Sequence, residues 1–164
     1  VKEGEPIGNF YGWKAVGLTD DGLWLVEGAD GNPKLASEAG QEDKQVIGNG
    51  LPSMYAGLNT TLLYKKFDLG ISLRGAFGFE VLNEYRMHWE TMKRISEGNL
   101  PKSVLKKPFG SQSYVFDSHM YHSYYVEKGD YVKLDNVTLG YTLNLNNKYL
   151  STTLLQWNNH TRLY

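Results

Sequence analysis

Apolar and polar residues alternate most clearly along residues 54–80. The even positions from Met54 to Tyr64 are mostly apolar, whereas the odd positions, apart from Leu63, are mostly small or polar. After residues 65–68 the alternation resumes, with apolar side chains at the odd positions from Leu69 to Phe79. A period of two predicts β-structure, so we expect two long strands joined by a tight hairpin.

The length of these strands separates a membrane sheet from a soluble one. Strands of soluble proteins average ~5–6 residues, whereas tilted strands that cross a bilayer need ~9–11. The alternation persists for about a dozen residues in each strand. The pattern therefore predicts a mainly all-β fold, an antiparallel meander of long strands from an outer-membrane β-barrel. In such a wall, Leu73 is expected to face lipid.

A second alternating segment spans residues 131–145, and a further strand is predicted at 149–157. Its later apolar positions share one side, but four residues near its start break the pattern. Val132 and Leu134 fall on the polar side, and Lys133 and Asp135 on the apolar side. We expect the two charged residues to lie at headgroup level, where a charge costs ~0–1 kcal/mol instead of ~2–4 kcal/mol at the midplane.

The segments between the predicted strands are alternately long and short. Residues 17–52 and 81–120 are long, whereas residues 65–68 and 146–148 form short turns. Outer-membrane barrels combine short periplasmic turns with long extracellular loops. The two long segments are therefore predicted to be extracellular loops.

Local patterns indicate some structure in and before these loops. Residues 8–16 resemble a short strand, and a smaller strand is expected at residues 23–27. Apolar residues at helical spacing predict one short loop helix near residues 82–97, ending at Gly98.

Composition agrees with a β-rich chain that has many turns. The 164 residues include twelve Tyr, six Phe, four Trp and 18 Gly, a mixture typical of strands and turns. The formal net charge is -1, from 17 basic and 18 acidic residues, which provides no footprint for nucleic acid. Cysteine is absent, which excludes disulfides and thiolate chemistry.

Four blocks, in order along the chain, resemble segments of the SusC/RagA-type TonB-dependent transporters of Bacteroidetes. They are residues 6–14 (PIGNFYGWK), 46–59 (VIGNGLPSMYAGLN), 64–78 (YKKFDLGISLRGAFG) and 126–141 (VEKGDYVKLDNVTLGY). The resemblance implies that residues 1–164 are a single fragment from the C-terminal part of such a barrel. It also implies import of oligosaccharides or peptides, driven by the TonB complex, beneath a SusD-like surface lipoprotein that acts as a lid.

The chain departs from this family at one loop, and its length and first residues suggest a piece of a longer protein. Residues 28–33 and 41–44 keep only scattered carboxylates where many members carry a calcium-like acidic loop, so neither a bound ion nor a cofactor is expected. Residues 1–4 lack a starting Met and an apolar leader, which indicates a mature, trimmed or excised piece. Five or six strands cannot close a barrel of ~22 strands, so the rest is expected elsewhere or the piece folds differently.

Candidate site residues are of two kinds. Asn59, Arg74 and Asn136 occupy polar strand positions and are predicted to face the lumen. Loop aromatics can stack on sugars or anchor a partner surface, so Trp24, Tyr85 and Trp89 are candidates for ligand or partner contacts, although simple packing is the favoured interpretation for each.

Enzyme chemistry is not indicated by any motif in the sequence. No phosphate-binding loop, nucleophile elbow or zinc-protease motif occurs. The spacing His119-x-x-His122 could offer two metal ligands, but a third well-spaced ligand is missing. The chain is therefore predicted to be neither an enzyme nor a metal-binding protein. The alternative to a transporter fragment is a soluble β-rich domain that binds carbohydrate or mediates adhesion.

Overall fold

The computed structural model of this protein describes residues 4–118, 120–147 and 150–159. The described part contains eleven strands and one α-helix. In chain order they are β1 (Asn9–Gly12), β2 (Ala15–Leu18), β3 (Trp24–Glu27), β4 (Pro33–Leu35), β5 (Gln45–Asn49), β6 (Met54–Tyr64), β7 (Phe67–Phe77), β8 (Glu80–Leu82), α1 (Glu84–Trp89), β9 (Val126–Lys128), β10 (Tyr131–Asn147) and β11 (Leu150–Asn159).

The chain divides into two compact units, each assembled from two separate stretches. Residues 52–78 and 130–164 form the first, here called the sheet unit, and residues 1–51 and 79–129 form the second, the loop unit. The sheet unit holds the four long strands. The loop unit holds the short strands, the helix and most of the segments that were predicted to be extracellular loops.

The sheet unit is one open antiparallel sheet with the strand order β11-β10-β7-β6. The strands β6 and β7 pair without interruption, from Tyr64 opposite Phe67 to Met54 opposite Phe77. The two residues between them, Lys65 and Lys66, form the tight hairpin turn, in which Lys65 adopts a left-handed conformation with φ of 56°. The predicted fold class and the predicted hairpin are therefore confirmed.

A β-bulge at Asp135 changes which residues share a face. Leu134 pairs with Leu73, but Asn136 pairs with Ser72, so Asp135 is one extra residue in β10. Directly opposed residues lie on the same face of a sheet, and an inserted residue reverses the alternation beyond it.

This reversal corrects the assignment at the start of β10. Because Val132 pairs with Gly75 and Leu134 with Leu73, both join the apolar face. Lys133 pairs with Arg74 and therefore lies on the polar face. The expectation that Lys133 and Asp135 lie on the apolar side was wrong, because it requires uninterrupted alternation across the residue that forms the bulge.

The loop unit is built from small antiparallel sheets around an aromatic core. One sheet has the order β2-β3-β4, and the pairs β1-β5 and β8-β9 form two others. The strand expected at residues 23–27 is present as β3, whereas residues 8–16 form two short strands rather than one. The buried core consists of Ala15, Trp24, Val26, Ala36, Val115 and Tyr125.

The helix is shorter than predicted. Residues 82–97 were expected to be helical, but α1 ends at Trp89 and Met92–Arg94 form a separate 3-10 turn. Thr91 between them is extended, with φ of -143° and ψ of 136°. Its hydroxyl donates to the backbone oxygen of Asp117 at 2.9 Å. The backbone N–H of Met92 donates to the backbone oxygen of Val115 at 2.8 Å. These tertiary hydrogen bonds draw the backbone out of the helix.

Candidate functional site

One face of the sheet unit is a continuous apolar surface. Its cross-strand rows follow from the pairing and are Tyr64-Phe67-Tyr141, Leu62-Leu69-Leu139, Thr60-Ile71-Val137, Leu58-Leu73-Leu134 and Ala56-Gly75-Val132. Several of these side chains are about half exposed, including Leu58, Leu62, Val132 and Leu139. Leaving one such side chain in water forgoes about 1.5–3 kcal/mol of burial free energy. A contiguous exposed face of this kind indicates a surface that is covered by lipid or protein.

The height of this apolar face fits the core of an outer membrane. The strand β6 has 11 residues. At a rise of ~3.4 Å per residue it is roughly 34 Å long, and a tilt of ~40° reduces its height to ~26 Å, close to the ~25 Å apolar band of outer-membrane barrels. Aromatic side chains mark the hairpin end, where the rings of Phe67 and Tyr141 lie 4.6 Å apart. This placement matches an interfacial aromatic girdle.

The opposite face of the sheet carries hydrogen-bonding groups. The hydroxyl of Ser72 donates to the side-chain oxygen of Asn59 at 2.6 Å. On the neighbouring strand, the side-chain nitrogen of Asn136 donates to the hydroxyl of Thr138 at 2.9 Å. Asn59, Ser72 and Asn136 form one cross-strand row, so the structure brings two of the predicted lumen residues together.

Arg74 lies on the same face, beside the bulge. Its Nε is 3.1 Å from one oxygen of Asp135, and the Nζ of Lys133 is 3.2 Å from the other oxygen. The bulge thus places one carboxylate between two cations that neighbouring strands present side by side. Sequence reasoning missed Lys133 and Asp135 as members of this face. The available signal was the break in alternation at Val132 and Leu134.

Trp24 is not at the surface of the loop unit. Its side chain is 0% exposed, and its ring lies 4.4 Å from that of His122, 5.0 Å from that of Tyr124 and 6.0 Å from that of Tyr125. These four residues are called the aromatic cluster below. A buried ring leaves no face for a sugar or a partner, so the structure favours the packing role for Trp24.

The other two loop aromatics lie on the short helix and remain accessible. Tyr85 is 59% exposed. Trp89 is half-buried, and the guanidinium of Arg94 lies 5.0 Å from its ring centre. A cation held over the ring restricts how closely a ligand can approach that side of Trp89. Contacts of Tyr85 and Trp89 with a ligand or partner remain predictions.

A buried carboxylate ties the helix to the aromatic cluster. Glu90 is 1% exposed and forms an ion pair with Arg86, whose Nη2 is 2.8 Å from Oε1 of Glu90. The same oxygen accepts a hydrogen bond of 3.0 Å from the hydroxyl of Tyr124. Arg86 also pairs with Glu127, which accepts from the side chain of Asn83 at 3.3 Å.

In this network the positive charge of Arg86 compensates the negative charge of the buried Glu90. Hydrogen bonds to Glu90 raise the pKa of Arg86, and burial together with Glu90 raises the pKa of Tyr124 to about 12. Removing one partner of such a pair is costly because it leaves an unpaired buried charge. The network therefore serves to hold the loop unit together.

A second buried carboxylate organises the segment between β3 and β5. Asp43 is 3% exposed and accepts from the backbone N–H groups of Ala29 and Gly40, both at 2.8 Å. The Nζ of Lys34 lies 2.9 and 3.0 Å from its two oxygens. These hydrogen bonds lower the pKa of Asp43. A lysine ammonium thus supplies the positive charge at this carboxylate.

Neither a metal site nor a membrane-spanning helix is present in the described residues. No group of three or more ligating side chains that could hold a metal is found there, and no described helix is long and apolar enough to cross a membrane. His119 lies outside the described residues, and His122 is fully buried in the aromatic cluster.

No protein-family model matches the chain. It is similar to two receptors of Formosa agariphila. It is 26% identical to TonB-dependent receptor P3, a match that covers 95% of this chain and 17% of the receptor. It is 23% identical to TonB-dependent receptor P39, over 88% of this chain and 19% of the receptor. The chain thus spans less than a fifth of the length of these relatives.

The fold is similar to solved structures of the RagAB peptide importer. The match to the closed-closed state has a TM-score of 0.74 and 19% sequence identity, and it covers 92% of this chain and 18% of the importer chain. The match to the open-open state has a TM-score of 0.71 and 18% sequence identity, and it covers 88% of this chain and 17% of the importer chain. The chain is therefore similar in sequence to TonB-dependent receptors, and its two-faced sheet has the fold of a stretch of the RagAB importer's barrel.

Proposed function

We propose that this chain forms part of the wall and the outer mouth of a TonB-dependent importer of oligosaccharides or peptides. The observation that carries the proposal is the sheet unit. One face of this sheet is apolar and about as tall as the core of an outer membrane, and the opposite face is polar. Lipid covers the apolar face, and the polar face lines the lumen. The chain contributes structure and contacts rather than catalysis.

The polar face determines what passing cargo meets along this part of the wall. Asn59 and Asn136 offer neutral donors and acceptors, and Arg74 adds a positive charge that Asp135 partly balances. Such groups suit hydroxyl and amide groups alike, so they are compatible with either class of cargo. The similar RagAB protein is a peptide importer, which favours peptides.

The loop unit is proposed to lie at the cell surface and to meet a SusD-like lipoprotein lid, while energy comes from the TonB complex through other parts of the transporter. Tyr85, which is exposed on α1, is the loop aromatic best placed to contact a partner or a ligand. The alternative of a soluble carbohydrate-binding domain gains no support from the relatives. It also leaves the exposed apolar face of the sheet unexplained.

Two adjacent substitutions test the assignment of the faces in the assembled transporter. Leu73→Arg places a charge on the apolar face, and Ser72→Arg places the same charge on the polar face one residue away. In a membrane wall a charge on the lipid side costs about 2–4 kcal/mol near the midplane, whereas lumen positions tolerate it. Leu73→Arg should therefore reduce the amount of folded barrel in the outer membrane strongly, and Ser72→Arg only slightly.

The measurement is the fraction of protein in outer-membrane fractions that shows the heat-dependent shift in electrophoretic mobility of a folded barrel. Cargo uptake is measured in parallel. Equal assembly of the two variants would contradict the proposed lipid-facing side. Loss of assembly in the Ser72→Arg variant alone would reverse the two faces.

A further inference from the structure

A shallow hollow lies on the polar face of the sheet unit. It has a volume of about 250 Å³, and its lining is formed by residues 59–61, 70–72 and 136. The amides of Asn59 and Asn136 and the hydroxyl of Ser72 border it in one cross-strand row. In the next row, Gly70 leaves the floor of the hollow without a side chain. The hollow therefore combines open space with groups that donate and accept hydrogen bonds.

Arg74 lies next to this hollow along β7. Ser72 and Arg74 are two positions apart, so their side chains point to the same face of the sheet. The side chain of Arg74 is 56% exposed. The residue opposite Arg74 on β6 is Gly57, where an added Cβ would come within 4 Å only of the backbone oxygen of Leu73, at 3.8 Å. No side chain at this position of β6 covers the guanidinium.

The bulge residue Asp135 holds one side of the Arg74 guanidinium. Its two oxygens lie 3.1 Å from Nε of Arg74 and 3.2 Å from Nζ of Lys133. The two Nη groups of Arg74 donate no hydrogen bond to any residue that the structure describes. Bulges often re-aim a side chain beside a functional site. Here the inserted carboxylate holds the Nε side of the guanidinium and leaves both Nη groups available to a ligand.

The charges around the bulge leave one positive charge in excess. Arg74 and Lys133 are cations, and Asp135 supplies one negative charge between them. The next charged residue of β7 on this face, Asp68, lies three rows away, at a distance of roughly 20 Å along the strand. A local excess of positive charge favours an anion. The planar fork of an arginine matches a carboxylate, which it can bind through two hydrogen bonds at once.

We propose that Arg74 and the adjoining hollow form a subsite for a carboxylate group of the cargo. The proposal rests on the function proposed above, in which the polar face lines the lumen. The Nη groups of Arg74 bind the carboxylate, and the amides and hydroxyls around the hollow bind the polar groups next to it. Lys133 compensates Asp135, which in turn keeps Arg74 oriented. Acidic peptides and acidic oligosaccharides both carry carboxylates, so this chemistry is common to the two classes of cargo.

The test uses the assembled transporter, purified in detergent, and two matched pairs of fluorescent probes. One pair is a short peptide with blocked ends that contains Glu, and the same peptide with Gln. The other pair is a short chain of galacturonic acid and its methyl ester. Fluorescence anisotropy measures the affinities. The parent should bind the acidic member of at least one pair roughly 10-fold more tightly, as expected for one charged hydrogen bond. The pair that shows this preference identifies the source of the carboxylate.

Substitutions at Arg74 separate its charge from its shape. Arg74→Gln should reduce the preference for the acidic member to less than about 2-fold, because a neutral amide keeps hydrogen bonding without the charge. Arg74→Lys should keep only part of the preference, because an ammonium lacks the planar fork. The control is Lys14→Gln, at a half-exposed lysine of the loop unit that pairs with Glu27. It should keep the full preference.

Filling the hollow tests its contribution separately. An added Cβ at Gly70 would lie 3.7 Å from the Cβ of Thr138, which is an ordinary contact. The strand should therefore tolerate Gly70→Val. This variant should weaken binding of both members of the preferred pair, because it occupies the space beside the amides and hydroxyls and leaves the charge of Arg74 in place.

The proposal would be overturned if the parent bound the acidic and neutral members equally or not at all, or if the preference survived in Arg74→Gln. Labelling of Arg74→Cys separates this result from a failure of the proposed function. If only a lipid-soluble thiol reagent reacts, this face meets lipid and both proposals are wrong. If a water-soluble reagent reacts but the preference is absent, only the subsite is wrong. If neither reacts, protein covers Arg74 and the subsite is again wrong. The heat-dependent shift in mobility confirms that each variant is folded.

Discussion

His122 should make the stability of the loop unit depend on pH. Its side chain is 0% exposed, between the rings of Trp24 at 4.4 Å and Tyr125 at 4.8 Å. Neither ring nitrogen has a hydrogen-bond partner among the described residues. Burial therefore lowers the pKa of His122 from 6.5 to about 3, because the charged imidazole would lose its hydration without compensation.

The sign and the size of the effect follow from proton linkage. The folded loop unit keeps His122 neutral, while the unfolded chain binds a proton below its ordinary pKa of 6.5. Stability is therefore lost as the pH falls below that value. Between about pH 7.5 and about pH 5 the loss is ~2 kcal/mol. This figure depends only on the unfolded pKa, since the folded pKa lies well below both conditions.

The substitution His122→Phe isolates this contribution. A phenyl ring keeps the contacts with Trp24 and Tyr125 and removes two buried nitrogens, each of which costs about 1–3 kcal/mol when unsatisfied. The variant should be more stable than the parent and should lose most of the dependence on pH between the two conditions. Hydrogen exchange of residues 13–27 and 120–128, corrected for intrinsic rates, measures the local stability.

In the parent protein, the corrected exchange rate of these residues should rise about 30-fold between the two conditions, and in the His122→Phe variant it should hardly change. The same slope in both proteins would show that another group is responsible. An NMR titration of the imidazole with a midpoint near its ordinary pKa would refute the reasoning directly, because it would mean that the ring is hydrated in the folded state.

Two further predictions concern charged groups in the two units. Asp43→Asn should loosen residues 28–44, because the neutral amide no longer balances the charge of Lys34 and its single oxygen leaves one of the N–H groups of Ala29 and Gly40 without an acceptor. Limited proteolysis should cut this segment faster than in a Glu42→Gln control. Deletion of Asp135 should remove the bulge and leave the faces of residues 131–134 unchanged, because Leu134 and Asn136 then become consecutive and still oppose Leu73 and Ser72. A cysteine in place of Lys133 should therefore be protected from a lipid-soluble reagent both with and without Asp135, and strong labelling in either protein would contradict the register in the structure.

The long strands could be predicted from sequence because their signal is local. Side chains of a strand point alternately to its two faces, so Leu58, Leu62, Ile71 and Leu73 mark one face without any knowledge of partners. The same holds for the hairpin, where a short polar turn separates two alternating runs. Strand length added the distinction between membrane and soluble sheets.

Contacts between distant segments fixed two features that the alternation of residues does not predict, namely the faces at the start of β10 and the end of α1. The break at Val132 and Leu134 is visible in the sequence, but only the register with β7 places the extra residue at Asp135 and brings Lys133 to the polar face. Likewise, hydrogen bonds from Thr91 and Met92 to distant backbone atoms end the helix early. A periodic pattern does not contain those contacts.

Burial in the loop unit was the least accessible property. The predicted surface residue Trp24 lies in a core with His122 and Tyr125, which are about 100 positions away in the chain. Neither periodicity nor composition encodes such an encounter, since it depends on how short strands and irregular segments pack together. Sequence alone determined the two-faced strands, whose period is a property of the backbone. Tertiary structure decided which face each residue before the bulge occupies, where the helix ends and which residues form the aromatic cluster. Each of these depends on contacts between residues far apart in the chain.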